Sequence, residues 1–192
     1  MSIVYILIGS VGAGKSTMAG KLNTEKGVKI ISADEIYKTL SVKKISTKPY
    51  DYKIRNIILN SICCELENCL KQNQDCVIDY TNMPTKRRKK FLTIAKRHNA
   101  QIVCELLKVD KQTLINQLNK REAENLSSHR ILEKEKSVDL YLKRLKQSSP
   151  TLLEGFNVIN IYLNGTKQQT KTSQKRKRFF NTATKQKTTK IW

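Results

Sequence analysis

Hydrophobic and polar positions alternate along this chain between two periods. The first is a continuous apolar run, Ile3-Val4-Tyr5-Ile6-Leu7-Ile8, and it predicts a parallel strand covered on both faces. From Lys15 to about Lys26 the apolar positions Met18, Ala19 and Leu22 take helical spacing, and Gly27 follows where a helix is expected to stop. Val28-Lys29-Ile30-Ile31 predicts a second strand. After a polar stretch over 41–50, Ile54, Ile57, Ile58, Ile62, Leu66, Cys69 and Leu70 mark one apolar face of a long helix. Cys76-Val77-Ile78-Asp79 predicts a third strand ending in an acid. Thr81-Asn82-Met83-Pro84 opens a further helix, whose core face is Phe91, Leu92, Ile94, Ala95 and His98. Residues 101–109 predict a fourth strand, Asp110 the cap of a helix bearing Leu114, Ile115 and Leu118, and Val138 to Gln147 another helix. Residues 158–163 predict a fifth strand, with Asn164-Gly165 closing the domain. Strands alternating with helices over about 165 residues predict an α/β fold: a doubly wound parallel sheet of five strands, helices on both faces and a helical lid.

The loop between the first strand and first helix carries the most specific chemistry. Gly9 to Ser16 read GSVGAGKS, the G-x-x-x-x-G-K-[ST] pattern, in the strand-loop-helix setting it requires. Gly9, Gly12 and Gly14 let backbone N–H groups turn inward around a phosphate, with Ala13, Ser16 and Thr17 completing the cradle. The helix beginning near Lys15 aims its positive dipole end at the same point. Lys15 is placed to reach the β and γ phosphates of ATP, and the Ser16 hydroxyl to bind Mg²⁺. The fold expected is therefore that of a P-loop NTPase.

Carboxyl ends of strands line the ligand crevice in such sheets. Asp34, after the second strand, is placed to accept the proton of an attacking hydroxyl, although capping of a helix starting at Glu35 is an ordinary alternative. Asp79, ending the third strand, suits a carboxylate that orients Mg²⁺. Lys86 to Lys90 are five consecutive cations near a helix start at the crevice, which makes Arg87 and Arg88 candidates to grip an acceptor's phosphates. The polar segment EAENLSSHRI after Lys120-Arg121 suits a mobile cover, with Arg121 at its hinge positioned to stabilise transferring charge.

Composition adds a partner. Net charge is +21; nine Lys or Arg and no acid follow Asn164, which leaves +12 on residues 1–164. A body this basic favours polyanions, nucleic acid first among them. Residues 166–192 contain almost no core formers and read as a disordered basic tail, with Lys175, Arg176, Lys177 and Arg178 as a nuclear-import or anchoring cluster. Five cysteines without a C-x-x-C pair indicate reduced, mostly buried thiols. No basic segment precedes the short first apolar run and no 18-residue apolar window occurs, so a soluble protein of the cytoplasm or nucleus is expected, with no membrane contact.

GSVGAGKST, SADE, VIDYTN, KREAENLSSH and SPTLLEGF, in that order, resemble the kinase domain of the polynucleotide 5′-hydroxyl kinases of phage and animals, over nearly all of residues 1–164. The resemblance implies an ATP-dependent kinase acting on DNA or RNA ends. It makes Lys15 and Ser16 the ATP and Mg²⁺ ligands, Asp34 the general base and Arg121 a clamp on the donor's phosphates. Thr81 and Asn82 of the D-x-T-N motif join Arg87 and Arg88 on the acceptor side. An arginine that often stands three residues after the base is here Tyr37, with Lys38 next. Relatives of this type also carry a phosphatase domain, so a separate phosphatase or ligase chain is an expected partner. Two rival readings follow from the same residues: a small-molecule hydroxyl kinase, and a nucleotide-gated nucleic-acid-binding module without catalysis.

Overall fold

A computed structural model describes residues 1–42, 52–82, 84–123 and 134–173. Its strands are β1 (Ile3–Gly9), β2 (Lys29–Ser32), β3 (Cys76–Asp79), β4 (Gln101–Lys108), β5 (Val158–Leu163) and β6 (Thr166–Thr172). Its helices are α1 (Lys15–Lys26), α2 (Ala33–Val42), α3 (Tyr52–Lys71), α4 (Thr85–Arg97), α5 (Lys111–Ala123) and α6 (Lys134–Gln147), with one 3-10 turn at Leu152–Glu154. The sheet order is β2-β3-β1-β4-β5-β6; the first five strands are mutually parallel and β6 is antiparallel to β5.

Strand alternation sorts the core onto two faces. Val4, Ile6 and Ile8 of β1 pack with Ile62 and Leu66 of α3 and Phe91 of α4. Tyr5 and Leu7 point the other way, against Ala19 and Leu22 of α1. From β1 the chain crosses one way to β2, and from β3 it crosses the other way to β4. The carboxyl ends of β1 and β3 therefore flank the switch point where such sheets bind ligands.

Among the described residues six strands replace the expected five. Asn164 (φ 48°) and Gly165 (φ 85°) form a two-residue hairpin turn instead of closing the domain, and Thr166–Thr172 pair with β5 where a disordered tail was expected. Every residue of β6 is exposed, so backbone hydrogen bonds hold it, with Thr170 Oγ1 donating to Asn160 Oδ1 at 2.8 Å. Residues 174–192, including the cluster Lys175 to Arg178, lie outside the described residues, as do residues 124–133 of the expected cover. Cys69, Cys76 and Cys104 are buried, whereas Cys64 is exposed. Among the described residues no helix is long and apolar enough to cross a membrane.

Candidate active site

The loop after β1 is held open by glycine geometry. Gly12 and Gly14 both adopt φ 83°, and a Cβ at Gly12 would stand 3.0 Å from Leu118 Cδ2 and 3.1 Å from Leu114 Cδ1. The phosphate loop thus rests directly on α5. Gly12→Ala is expected to cost about 1–3 kcal/mol of stability through the positive φ and this crowding, and to weaken ATP binding measured by calorimetric titration. Gly9 is constrained differently: its Cβ would lie 2.9 Å from the Leu107 carbonyl oxygen of β4.

No side chain caps α1 at Gly14, so the first-turn N–H groups of Lys15, Ser16 and Thr17 face the mouth of the loop. Ser16 and Thr17 are exposed and Ala13 is buried beneath them. Lys15 folds back over the loop, its Nζ donating to Ser10 O at 2.7 Å and Gly9 O at 3.3 Å. A helix start without a side-chain cap, a loop turned by glycines at positive φ and a lysine folded across it together fit a nucleotide's phosphates.

Across the switch point, Ser32 and Asp79 are register partners at the ends of β2 and β3. Asp79 is 9% exposed. α2 begins at Ala33, with Ser32 as its cap: the Glu35 N–H donates to Ser32 Oγ at 3.4 Å. The ordinary alternative for Asp34 therefore falls to Ser32, and Asp34 stands exposed in the first turn of α2. Tyr37 is half-buried and packs against the core. Lys38 is exposed and ion-paired with Glu35 at 2.8 Å, which raises its pKa.

The loop after β3 holds the rest. Asn82 is fully buried and its Nδ2 donates to the Leu7 carbonyl at 2.9 Å, satisfying β1 where the β3 ladder has ended. Arg88 is also 0% exposed. It donates bidentately to Glu154 at 2.8 Å, to Asn82 O at 3.1 Å and to Thr85 Oγ1 at 3.0 Å. Glu154 in turn forms a capping box with Thr151. Arg88 and the Asn82 amide nitrogen thus join β1, the start of α4 and the 3-10 turn, while Asn82 Oδ1 is buried with no hydrogen-bond partner among the described residues. Arg88→Ala is expected to cost about 3 kcal/mol because it strands Glu154 in a mostly buried site. Urea unfolding should show it, with part recovered by adding Glu154→Gln; a loss below about 1 kcal/mol would contradict the role.

Arg87 is the cation left toward the crevice. Its guanidinium lies over the Tyr80 ring, 4.2 Å from the centroid, and donates to the Thr81 carbonyl. Burial lowers its pKa, and Arg55 of α3 is close enough to lower it further. Sequence reasoning missed Arg55, Ser32 and the Glu154 partnership. On the far side of the loop, Arg121 lies near the end of α5, three residues beyond Leu118; its side chain lies outside what is described.

The AAA domain family model (AAA_33) matches residues 4–147. The chain belongs to the AAA domain family. This AAA domain also resembles solved structures at identities that establish the fold alone. A chain of the PezAT chromosomal toxin–antitoxin system of Streptococcus pneumoniae matches with a TM-score of 0.67 at 16% identity, covering 88% of this chain and 71% of that one. A sugar kinase from Janibacter sp. matches at 0.57 and 13%, covering 85% and 86%. A chain of the Pnkp1/Rnl/Hen1 RNA repair complex matches at 0.63 and 18%, covering 77% of this chain and 45% of that one. No curated protein matches. What these structures share with this chain is the fold, here a mostly parallel α/β sheet with a glycine-rich loop after its first strand.

Proposed function

We propose that this protein transfers the γ-phosphoryl group of ATP to the 5′-hydroxyl of a polynucleotide strand. The observation that carries the reading is Asp34: an exposed carboxylate in the first turn of α2, relieved of capping by Ser32, at the same carboxyl end of the parallel sheet as the phosphate loop. ATP would be held by the N–H groups from Gly9 to Thr17 and by Lys15. Ser16 and Asp79 are the residues that would hold Mg²⁺, which supplies positive charge against the β and γ phosphates. Asp34 accepts the hydroxyl proton as the new O–P bond forms and the bond from Pγ to the bridging oxygen breaks, releasing ADP. Arg121 and Lys15 stabilise the charge that develops.

On the acceptor side, Arg87, with Thr81 beside it, takes the place that an arginine three residues after the base would otherwise fill. The pairing of Lys38 with Glu35 and the packing of Tyr37 leave those two residues a lesser part. That same pair supports the second reading, a small polyol or acid as acceptor, because the helix bearing the base offers no unpaired cation at positions 37 or 38. The neighbour from an RNA repair complex supports a strand acceptor and a separate end-processing partner, since this chain covers 45% of that one.

An acceptor panel separates the two readings. With equal ATP, a 5′-hydroxyl oligonucleotide is expected to be phosphorylated at least tenfold more efficiently than any sugar, polyol or hydroxy acid. A small hydroxyl compound that exceeds the oligonucleotide would overturn the proposal.

A further inference from the structure

Helix α4 is charged against its own dipole. Its first turn contains no acid, and Lys86 to Lys90 place five cations where the helix's positive end already lies. Arg88 is accounted for by Glu154, and Arg87 by Tyr80 and Thr81. Lys86, Lys89 and Lys90 are exposed, and further along the same helix so are Thr93 and Arg97.

All of these but Lys86 border a shallow cleft of about 380 Å³ between α3 and α4, lined by Cys63, Lys89, Lys90, Thr93, Ile94 and Arg97. Its floor is uncharged and its rim carries three cations. Arg97 is paired with Glu67 at 2.9 Å, and Lys90 is close enough to Cys63 to lower the pKa of its thiol against the upward push of burial. Both helices run from the crevice toward the opposite edge of the sheet, since each precedes a strand that begins there. The cleft lies along the outside of the domain, on the helix that carries Arg87 at its crevice end.

We infer that this α3–α4 cleft binds the backbone of a single polynucleotide strand, carrying the nucleotides that follow the one presented to Asp34. The inference rests on the polynucleotide reading given above and adds to it a strand path. Charge complementarity selects the occupant: cations assembled against a helix dipole are offset by an evenly spaced polyanion. Length agrees as well. Lys89 and Arg97, the ends of the cleft on α4, are eight residue steps apart, about 12 Å at 1.5 Å each, room for the backbone of a few nucleotides. Thr93 and the apolar Ile94 floor suit sugar and base contacts that do not depend on sequence.

The test uses the full chain with a 12-nucleotide 5′-hydroxyl strand and a dinucleotide, beside Lys89→Glu/Lys90→Glu and a control of equal charge change on α6, Lys143→Glu/Lys146→Glu. All four positions are exposed, and unchanged ATP affinity verifies folding. The cleft variant is expected to raise KM for the 12-mer at least tenfold with kcat unchanged, while KM for the dinucleotide moves less than twofold. Affinity for a 5′-phosphorylated 12-mer, read by fluorescence anisotropy, should fall in parallel. A separate Lys89→Ala/Lys90→Ala protein should lose about 1.4 from the slope of log K against log salt, two single-strand contacts at roughly 0.7 each. Equal losses in the α6 control, or displacement of the strand by an equal charge of polyglutamate, would overturn the inference. So would a cleft variant that treats both acceptors like wild type. Should wild type phosphorylate neither acceptor, the kinase reading fails by itself, and the anisotropy arm still decides the cleft.

Discussion

Asp34→Asn is expected to lower the rate of phosphoryl transfer by about 10²- to 10⁴-fold, the range for losing a positioned general base, while ATP binds within about twofold of wild type. Asparagine keeps the shape of aspartate and loses the ability to take the hydroxyl proton. The structure supplies an internal control for this variant. Because Ser32 Oγ caps α2, Asp34 has no capping duty, and the substitution should leave the melting temperature unchanged. A variant that unfolds earlier and still turns over would return Asp34 to a structural role.

Arg121→Ala should lower kcat by about 10³- to 10⁵-fold, as for other arginines that meet transferring phosphoryl charge, with a much smaller change in KM for ATP. The expectation follows from how α5 is seated. Leu114 and Leu118 are fully buried and abut the Gly12 position, so α5 is fixed against the phosphate loop up to one turn short of Arg121. Arg121→Lys should recover only part of the loss, because lysine keeps the charge without the planar fork. Equal losses in kcat and in ATP affinity would make Arg121 a ground-state binder instead.

Much of this was legible before any coordinates, and for identifiable reasons. β1 and the phosphate loop read directly because a continuous apolar run met glycines at fixed spacing. α1 ended at Gly27 (φ 65°) because the αL position there favours glycine. Asp110 capped α5 as its spacing predicted, its Oδ1 accepting the Thr113 N–H at 2.8 Å. β6 escaped because Thr-Lys-Gln-Gln-Thr-Lys-Thr has no apolar face; its one local signal, Asn164-Gly165, is a hairpin turn that was read as a terminus.

Arg88 escaped for the opposite reason. Within Lys86 to Lys90 all five positions look alike as charges, yet Arg88 alone shares helical spacing with the buried Phe91, Leu92 and Ala95. That periodicity marks it as the buried member, and only the fold could supply Glu154, 66 residues away, as its partner. Ser32 was obscured because Asp34 is an equally good cap by residue type. Arg55 was obscured because its relation to Arg87 spans two helices.

The central claim is that this domain moves phosphate from ATP to a strand end, and the most direct measurement is label transfer from γ-labelled ATP to 5′-hydroxyl DNA and RNA oligonucleotides, run beside Lys15→Ala. Lys15 crosses the mouth of the loop, so the account predicts label on the 5′ end with wild type and its loss with the variant. Wild-type protein that binds ATP and leaves both oligonucleotides unlabelled would contradict it.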